Sequence, residues 1–192
     1  MTPDRARRAI SLVDLTHLAD DCDDAAVEAL CDRARRFGTA AVCVWPDFVA
    51  LADRLVEGAP IEVATVVNFP SGDERAFSVG VQTDRALVDG ATEIDVVLPY
   101  RAFLAGDRDR VSDVLRVVRR ATDGRARMKV ILETGELPDV DRVTAAAELA
   151  IEHGTDFVKT STGKSAVSAT PDAVSAMLDV ITRSGRPVGI KP

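Results

Sequence analysis

Lysine is scarce in this chain, and two of its lysines lie five positions apart in the stretch FVKTSTGKS, residues 157–165. Of 24 basic residues only Lys129, Lys159, Lys164 and Lys191 are lysine, which leaves 20 arginines. Arginine stays protonated at any working pH, whereas a desolvated lysine can lose its proton and attack a carbonyl carbon. The four lysines therefore call for individual explanations. Lys159 follows an apolar approach, Phe157 and Val158, and precedes Thr160, Ser161 and Thr162, whose hydroxyls can bond a sugar or orient a water. That setting suits a Schiff-base lysine. Burial and a second nearby ammonium both lower the pKa of an amine, so Lys159 is expected to be partly neutral near pH 7.

The second ammonium is expected from Lys191 in PVGIK, at a comparable height on the next strand, with neighbouring strands about 4.8 Å apart. Asp95, in TEIDVVLPY, supplies a carboxylate on another inward position, placed either to relay protons or to hold Lys191. An ordinary buried ion pair is the competing explanation; two lysines and one carboxylate at strand ends favour chemistry over it. A phosphate-cradling P-loop is the competing motif, because Gly163-Lys164-Ser165 reproduces its last three positions. Val158 stands where that motif requires its first glycine, so the backbone nest for a nucleotide cannot form in the same way.

The elements that must hold these residues alternate. β-Branched runs occur at ISLVDLT, AAVCVW, IEVATVVNF, TEIDVVLP, MKVILET, DFVKTS and PVGIK. Between them lie helical patterns such as DDAAVEALCDRARRFG, ERAFSVGVQTDRALVDG, RVSDVLRVVRRATDG and TPDAVSAMLDVITRSG. Gly38, Gly90, Gly154 and Gly185 are placed as helix C-caps, and Thr170-Pro171 as an N-cap followed by a first-turn proline. Seven strands, mostly apolar on both faces and alternating with helices, define an α/β class with a parallel sheet. Polar residues recur near the ends of many strands (Asp14, Thr16, Cys43, Asn68, Asp95, Glu133, Lys159, Lys191), which favours a TIM (β/α)8 barrel over a doubly wound sheet with one switch point.

Composition narrows the partners. A length of 192 residues with 46% hydrophobic content suits one globular domain, 1–192. A net charge of -7 argues against a nucleic-acid surface. Cys22, Cys31 and Cys43 form neither a disulfide framework nor a zinc knuckle, and neither histidine has metal-ligand spacing. No apolar stretch has the length of a signal peptide or a membrane span. A cytoplasmic protein with a small-molecule partner is the expectation.

The segments DLTHL, AAVCVWPDFV, ATVVNFPSG, EIDVVLPYRA, KVILETGEL, DFVKTSTGK and VGIKP, in that order, resemble the deoxyribose-phosphate aldolases, metal-free Schiff-base enzymes on a (β/α)8 barrel. The resemblance covers essentially the whole chain. It implies reversible cleavage of 2-deoxy-D-ribose 5-phosphate to D-glyceraldehyde 3-phosphate and acetaldehyde, no cofactor, and a possible homodimer. It makes Lys159 the nucleophile, Lys191 the group that perturbs it and moves protons, and Asp95 a partner in that relay. Gly163 and Lys164 would contact the 5-phosphate.

Other positions carry two readings each. Asp14 and Thr16 either bind substrate hydroxyls or form a turn; Cys43 either lines the pocket or fills the core; Thr160 is a candidate substrate contact. Lys129 and Glu133 share a strand face by period two and are expected to pair as structure. His153, at a helix C-terminus, suits dipole compensation, while Trp45 and Tyr100 are expected to pack. An eight-fold barrel takes about 250 residues, and relatives continue past VGIKP to a further strand whose loop binds phosphate. The expectation is accordingly a barrel truncated after its seventh strand, lacking the last βα unit. A catalytically silent sugar-phosphate-binding protein and another Schiff-base barrel aldolase, acting on a keto acid, remain the alternatives.

Overall fold

Short polar side chains set where the helices begin. The computed structural model describes residues 2–192. Thr2 accepts a hydrogen bond from the Arg5 amide and opens α1 (Pro3–Ile10), which an Asp4–Arg7 pair of 2.7 Å reinforces on its exposed face. The strand expected over ISLVDLT is shorter, because Ile10 belongs to this helix and residues 11–13 form a turn. Ile10 closes α1, and β1 (Asp14–His17) starts four residues later. Asp23 caps α2 (Asp24–Phe37), which ends at Gly38 in the left-handed region. There follow β2 (Ala41–Val44), a 3-10 turn at Pro46–Phe48, α3 (Val49–Val56) and β3 (Glu62–Val67).

The chain continues through α4 (Ala76–Val88), β4 (Glu93–Val97), a short α5 (Tyr100–Leu104) and α6 (Arg108–Thr122). It then forms β5 (Arg127–Ile131), a 3-10 turn at Thr134–Glu136, α7 (Val140–Glu152), β6 (Phe157–Lys159), α8 (Pro171–Ser184) and β7 (Gly189–Lys191). Thr170 caps α8 with Pro171 in its first turn, as the sequence indicates. The strand order is β1-β2-β3-β4-β5-β6-β7, with parallel registers Thr16↔Cys43, Cys43↔Ala64, Ile131↔Lys159 and Lys159↔Lys191. Strands in sequential order, each but the last followed by a helix, have no switch point. That is the α/β-barrel pattern rather than the doubly wound one.

Contacts divide the chain into two compact units, the first made of residues up to Val66 with 85–94, the second of 67–84 with 95–192. In the first, α2 buries Val27, Leu30, Cys31 and Ala34, one face at helical spacing, and β2 is buried at all four positions. Trp45 packs there and donates from Nε1 to the Ala19 carbonyl at 3.0 Å. In the second, α6 buries Val111, Val114, Leu115 and Val118, while α7 and α8 pack together through small residues including Ala146, Ala147, Ala173 and Ala176. Arg119 pairs with Asp156 at 2.9 Å, and the same carboxylate oxygen accepts from the Met128 amide at 2.7 Å, which fastens α6 to the start of β5. His153 bonds Ser112 at 3.0 Å. Burial lowers its pKa below the ordinary imidazole value, so at neutral pH it carries little charge with which to compensate the α7 dipole.

Candidate functional site

Registers place the chemistry in rows. Lys129, Phe157 and Gly189 are partners across β5, β6 and β7, and two residues on, Ile131, Lys159 and Lys191 form the next row of the same face. A Cβ on Gly189 would collide with the Phe157 ring, so only glycine lets that ring lie across β7. The Lys191 ammonium sits 5.9 Å from the centre of the same ring.

Asp95 is fully buried on β4, and its two oxygens take different lysines. Oδ2 accepts from Lys159 Nζ at 2.7 Å, and Oδ1 lies 3.0 Å from Lys129 Nζ. Lys129 is as inaccessible as Asp95, whereas the Lys159 side chain keeps 17% of its surface open. Burial alone would raise the Asp95 pKa. The two ammoniums outweigh it and hold the carboxyl below its usual range. Asp95 is therefore an ionised acceptor wherever the protein is folded near neutral pH.

This corrects two expectations. Asp95 engages Lys129 and Lys159; Lys191 is the register neighbour of Lys159 and lies near the Phe157 ring. Lys129 and Glu133 do not pair with each other. β5 ends at Ile131, and Glu133 turns into the left-handed region at φ 53, so the period-two argument lapses before reaching it. Buried Glu133 instead meets the segment after β6: its carboxylate accepts from the Thr162 hydroxyl, the Thr162 amide at 3.3 Å and the Ser165 hydroxyl at 3.0 Å.

The remaining expected positions separate clearly. Thr160 is buried and works through its backbone, donating to the Lys191 carbonyl and accepting from the Thr134 amide, both at 2.9 Å. The Thr162 hydroxyl is committed to Glu133, while the buried Ser161 hydroxyl has no hydrogen-bond partner among the described residues. Gly163 and Lys164 are exposed, on a stretch without regular structure that runs to Thr170. In the other compact unit, Asp14 and Thr16 lie in β1, where the exposed Thr16 hydroxyl donates to the Asp14 carbonyl, and Cys43 is buried in β2. Tyr100 packs, buried, with the Arg101 guanidinium 4.7 Å from its ring.

A sequentially ordered parallel α/β sheet defines a protein of the α/β-barrel class, here with a buried carboxylate between two lysines, one of them partly open. A family described as DeoC/LacD family aldolase matches residues 8–192, and the chain belongs to that family. It is 50% identical over 191 residues to a deoxyribose-phosphate aldolase of Agrobacterium fabrum, covering 97% of this chain and 73% of that protein. Among solved structures, a Coccidioides immitis protein provisionally assigned as a deoxyribose-phosphate aldolase matches with a TM-score of 0.92 at 31% identity, over 96% of this chain and 72% of that one. The tetrameric deoxyribose phosphate aldolase of Aeropyrum pernix matches with a TM-score of 0.84 at 26% identity, over 96% and 76%. No helix among the described residues is long and apolar enough to cross a membrane.

Proposed function

We propose that this chain is a class I aldolase that cleaves 2-deoxy-D-ribose 5-phosphate reversibly to D-glyceraldehyde 3-phosphate and acetaldehyde. The observation that carries this reading is the partly open Lys159 ammonium, 2.7 Å from a buried carboxylate that a second, inaccessible lysine keeps charged. The amine of Lys159, once deprotonated, attacks the aldehyde carbon of the open-chain sugar to give a carbinolamine. Loss of water leaves an iminium. Removal of the proton from the C3 hydroxyl then breaks the C2–C3 bond, and the electron pair moves into the iminium to form an enamine. Glyceraldehyde 3-phosphate departs, the enamine takes a proton at C2, and water releases acetaldehyde and the free amine.

Asp95 serves every charged stage. With Lys159 as ammonium or iminium it faces two cations; with the neutral carbinolamine or enamine it still faces Lys129. The site therefore never holds an unpaired buried carboxylate, which would cost several kcal/mol. Lys191, in register with Lys159, and the Ser161 hydroxyl are the groups we assign to proton and water movement. Gly163 and Lys164 are assigned to the 5-phosphate, a compact ammonium and a free backbone approach being suited to an anion. We place the reaction in the cytoplasm.

Borohydride reduction in the presence of acetaldehyde, followed by peptide mass analysis, tests the reading. An N-ethyl group on Lys159 is the expected product. Folded protein that yields no adduct would overturn the imine mechanism and favour a silent sugar-phosphate-binding protein.

A further inference from the structure

Beyond the lysines, the second unit contains another buried carboxylate whose position is costly to maintain. Glu133 lies in the left-handed backbone region without being glycine or asparagine, a strained conformation that persists only where the surroundings enforce it. The residue is 2% accessible, and among the described residues its carboxylate is compensated by neutral donors from one stretch, 162–165. That stretch holds Gly163 and Lys164.

We infer that Glu133 is a positioning residue for the phosphate end of the substrate, acting as an internal anion around which the Gly163-Lys164 turn is wound. This rests on the function proposed above. Oε2 accepts from the Thr162 hydroxyl, and the Thr162 amide points at both oxygens, at 3.3 and 3.4 Å. Oε1 accepts from the Ser165 hydroxyl. The same Thr162 oxygen then accepts from the Lys164 amide at 3.0 Å, and the Ser165 hydroxyl also reaches the Val167 carbonyl at 3.0 Å. One carboxylate thus fixes the residues on both sides of Gly163 and Lys164 through a connected network. Beneath it, Gly135 approaches the Val167 backbone so closely that a Cβ there would overlap the carbonyl oxygen, and the Thr134 amide donates to the Thr160 carbonyl at 2.9 Å. Glu-Thr-Gly, residues 133–135, is the seat of a segment that has no helix or strand of its own.

The arrangement also settles which donors remain for an anion. Thr162 N–H, Thr162 O–H and Ser165 O–H would be natural phosphate donors; the first two are spent on Glu133, and the single Ser165 proton is shared between Glu133 and the Val167 carbonyl. Saturating the carboxylate turns its charge toward the loop, and Gly163 and Lys164 are left presented to solvent. Two opposite behaviours of Glu133→Gln follow from position and from competition. If the carboxylate positions the turn, its loss weakens phosphate recognition; if it merely occupies donors the substrate must reclaim, its loss strengthens it.

The deciding measurement is reductive trapping at Lys159 against concentration of 2-deoxyribose 5-phosphate, 2-deoxyribose and acetaldehyde, in wild type and Glu133→Gln. We expect the half-saturating concentration of the phosphorylated sugar to rise roughly tenfold, the scale of a lost charge-assisted hydrogen bond. The curves for the two phosphate-free aldehydes should stay within about twofold, and Glu133→Asp should recover part of the loss. An unchanged or lowered value for the phosphorylated sugar, or an equal shift of all three curves, overturns the proposal. Should Glu133→Gln not fold, Ser165→Ala removes one donor from the same carboxylate and is expected to shift the phosphorylated curve alone, in the same direction; no shift overturns the proposal. Should wild type trap no aldehyde, the imine reading fails separately, and calorimetry with inorganic phosphate decides. Binding weakened about tenfold in Glu133→Gln is then expected, and equal binding, or none in wild type, counts against the positioning role.

Discussion

Asp95 and Glu133 are both buried carboxylates in the same compact unit, yet the protein compensates them by different means. Asp95 sits within a strand and faces two full positive charges; Glu133 sits past a strand end and faces hydroxyls and an amide. Cations keep a carboxylate ionised while the charge on one partner changes, which suits a group beside reacting atoms. Neutral donors impose direction and spacing instead, which suits a group that shapes a loop. The difference teaches that burial of an acid does not by itself mark catalysis: the kind of partner separates reaction from placement.

Breaking the charged cluster should have the largest effect. Lys159→Arg keeps a cation beside Asp95 but cannot form an imine, so borohydride trapping with acetaldehyde should fall to background. Asp95→Asn should reduce turnover by about 10²–10⁴-fold, the range for removing an acid-base group, with all aldehydes affected alike. A steady-state comparison of 2-deoxyribose 5-phosphate with 2-deoxyribose would show this, and a phosphate-selective defect would collapse the contrast with Glu133.

Next in size is stability. Lys129→Met removes one of two cations from a fully buried carboxylate and should cost about 3–5 kcal/mol in urea unfolding. The Lys129→Met, Asp95→Asn pair together should cost less than the sum of the single changes, because both remove the same buried ion pair. Additive losses would mean the two groups are not coupled.

The pH dependences are smaller and have defined signs. The Asp95 pKa is lowered in the folded protein, so its stabilisation is present above the unfolded carboxyl value, about 4, and is lost as pH falls through the folded one. Melting temperatures recorded from pH 6 down to 3 should flatten in Asp95→Asn relative to wild type. The His153 pKa is also lowered, by burial, but for a base this means the unfolded chain binds the extra proton. Stability from His153 is present above its unfolded value, about 6.5, and declines below it, and His153→Gln should remove that slope. Smallest of all, burial pushes the Cys31 thiol up to about 11, so iodoacetamide at pH 8 should leave it unmodified while the protein is folded.

The repeating strand and helix segments were legible because they carry their own period and caps: Thr170, Gly38 and Gly185 all act where the sequence puts them. The place of Lys159 at the end of a strand was legible from its apolar approach. α1 was not read, although Thr2, Pro3 and Asp4 form an N-terminal signal, because the β-branched character of the following stretch was extended back to Ile10. Lys129 was assigned to the wrong partner for a different reason. The Leu98 amide donates to the Ile131 carbonyl, which sets β4 against β5 so that Lys129 lies beside Asp95, 34 residues away in sequence, a fact of register that composition cannot supply. Glu133 defeated periodicity outright, since a left-handed residue breaks the alternation that would predict its direction.

Gly135 has a consequence for how freely the sequence can drift. The atom that excludes a larger side chain at 135 is the Val167 carbonyl oxygen, and the Val167 side chain itself is half exposed. Position 167 contributes its peptide group, which every residue type possesses, whereas position 135 contributes the lack of any side chain. In a library randomised at both sites, functional clones should be nearly uniform at 135 and varied at 167, two neighbours in space under opposite selective pressure.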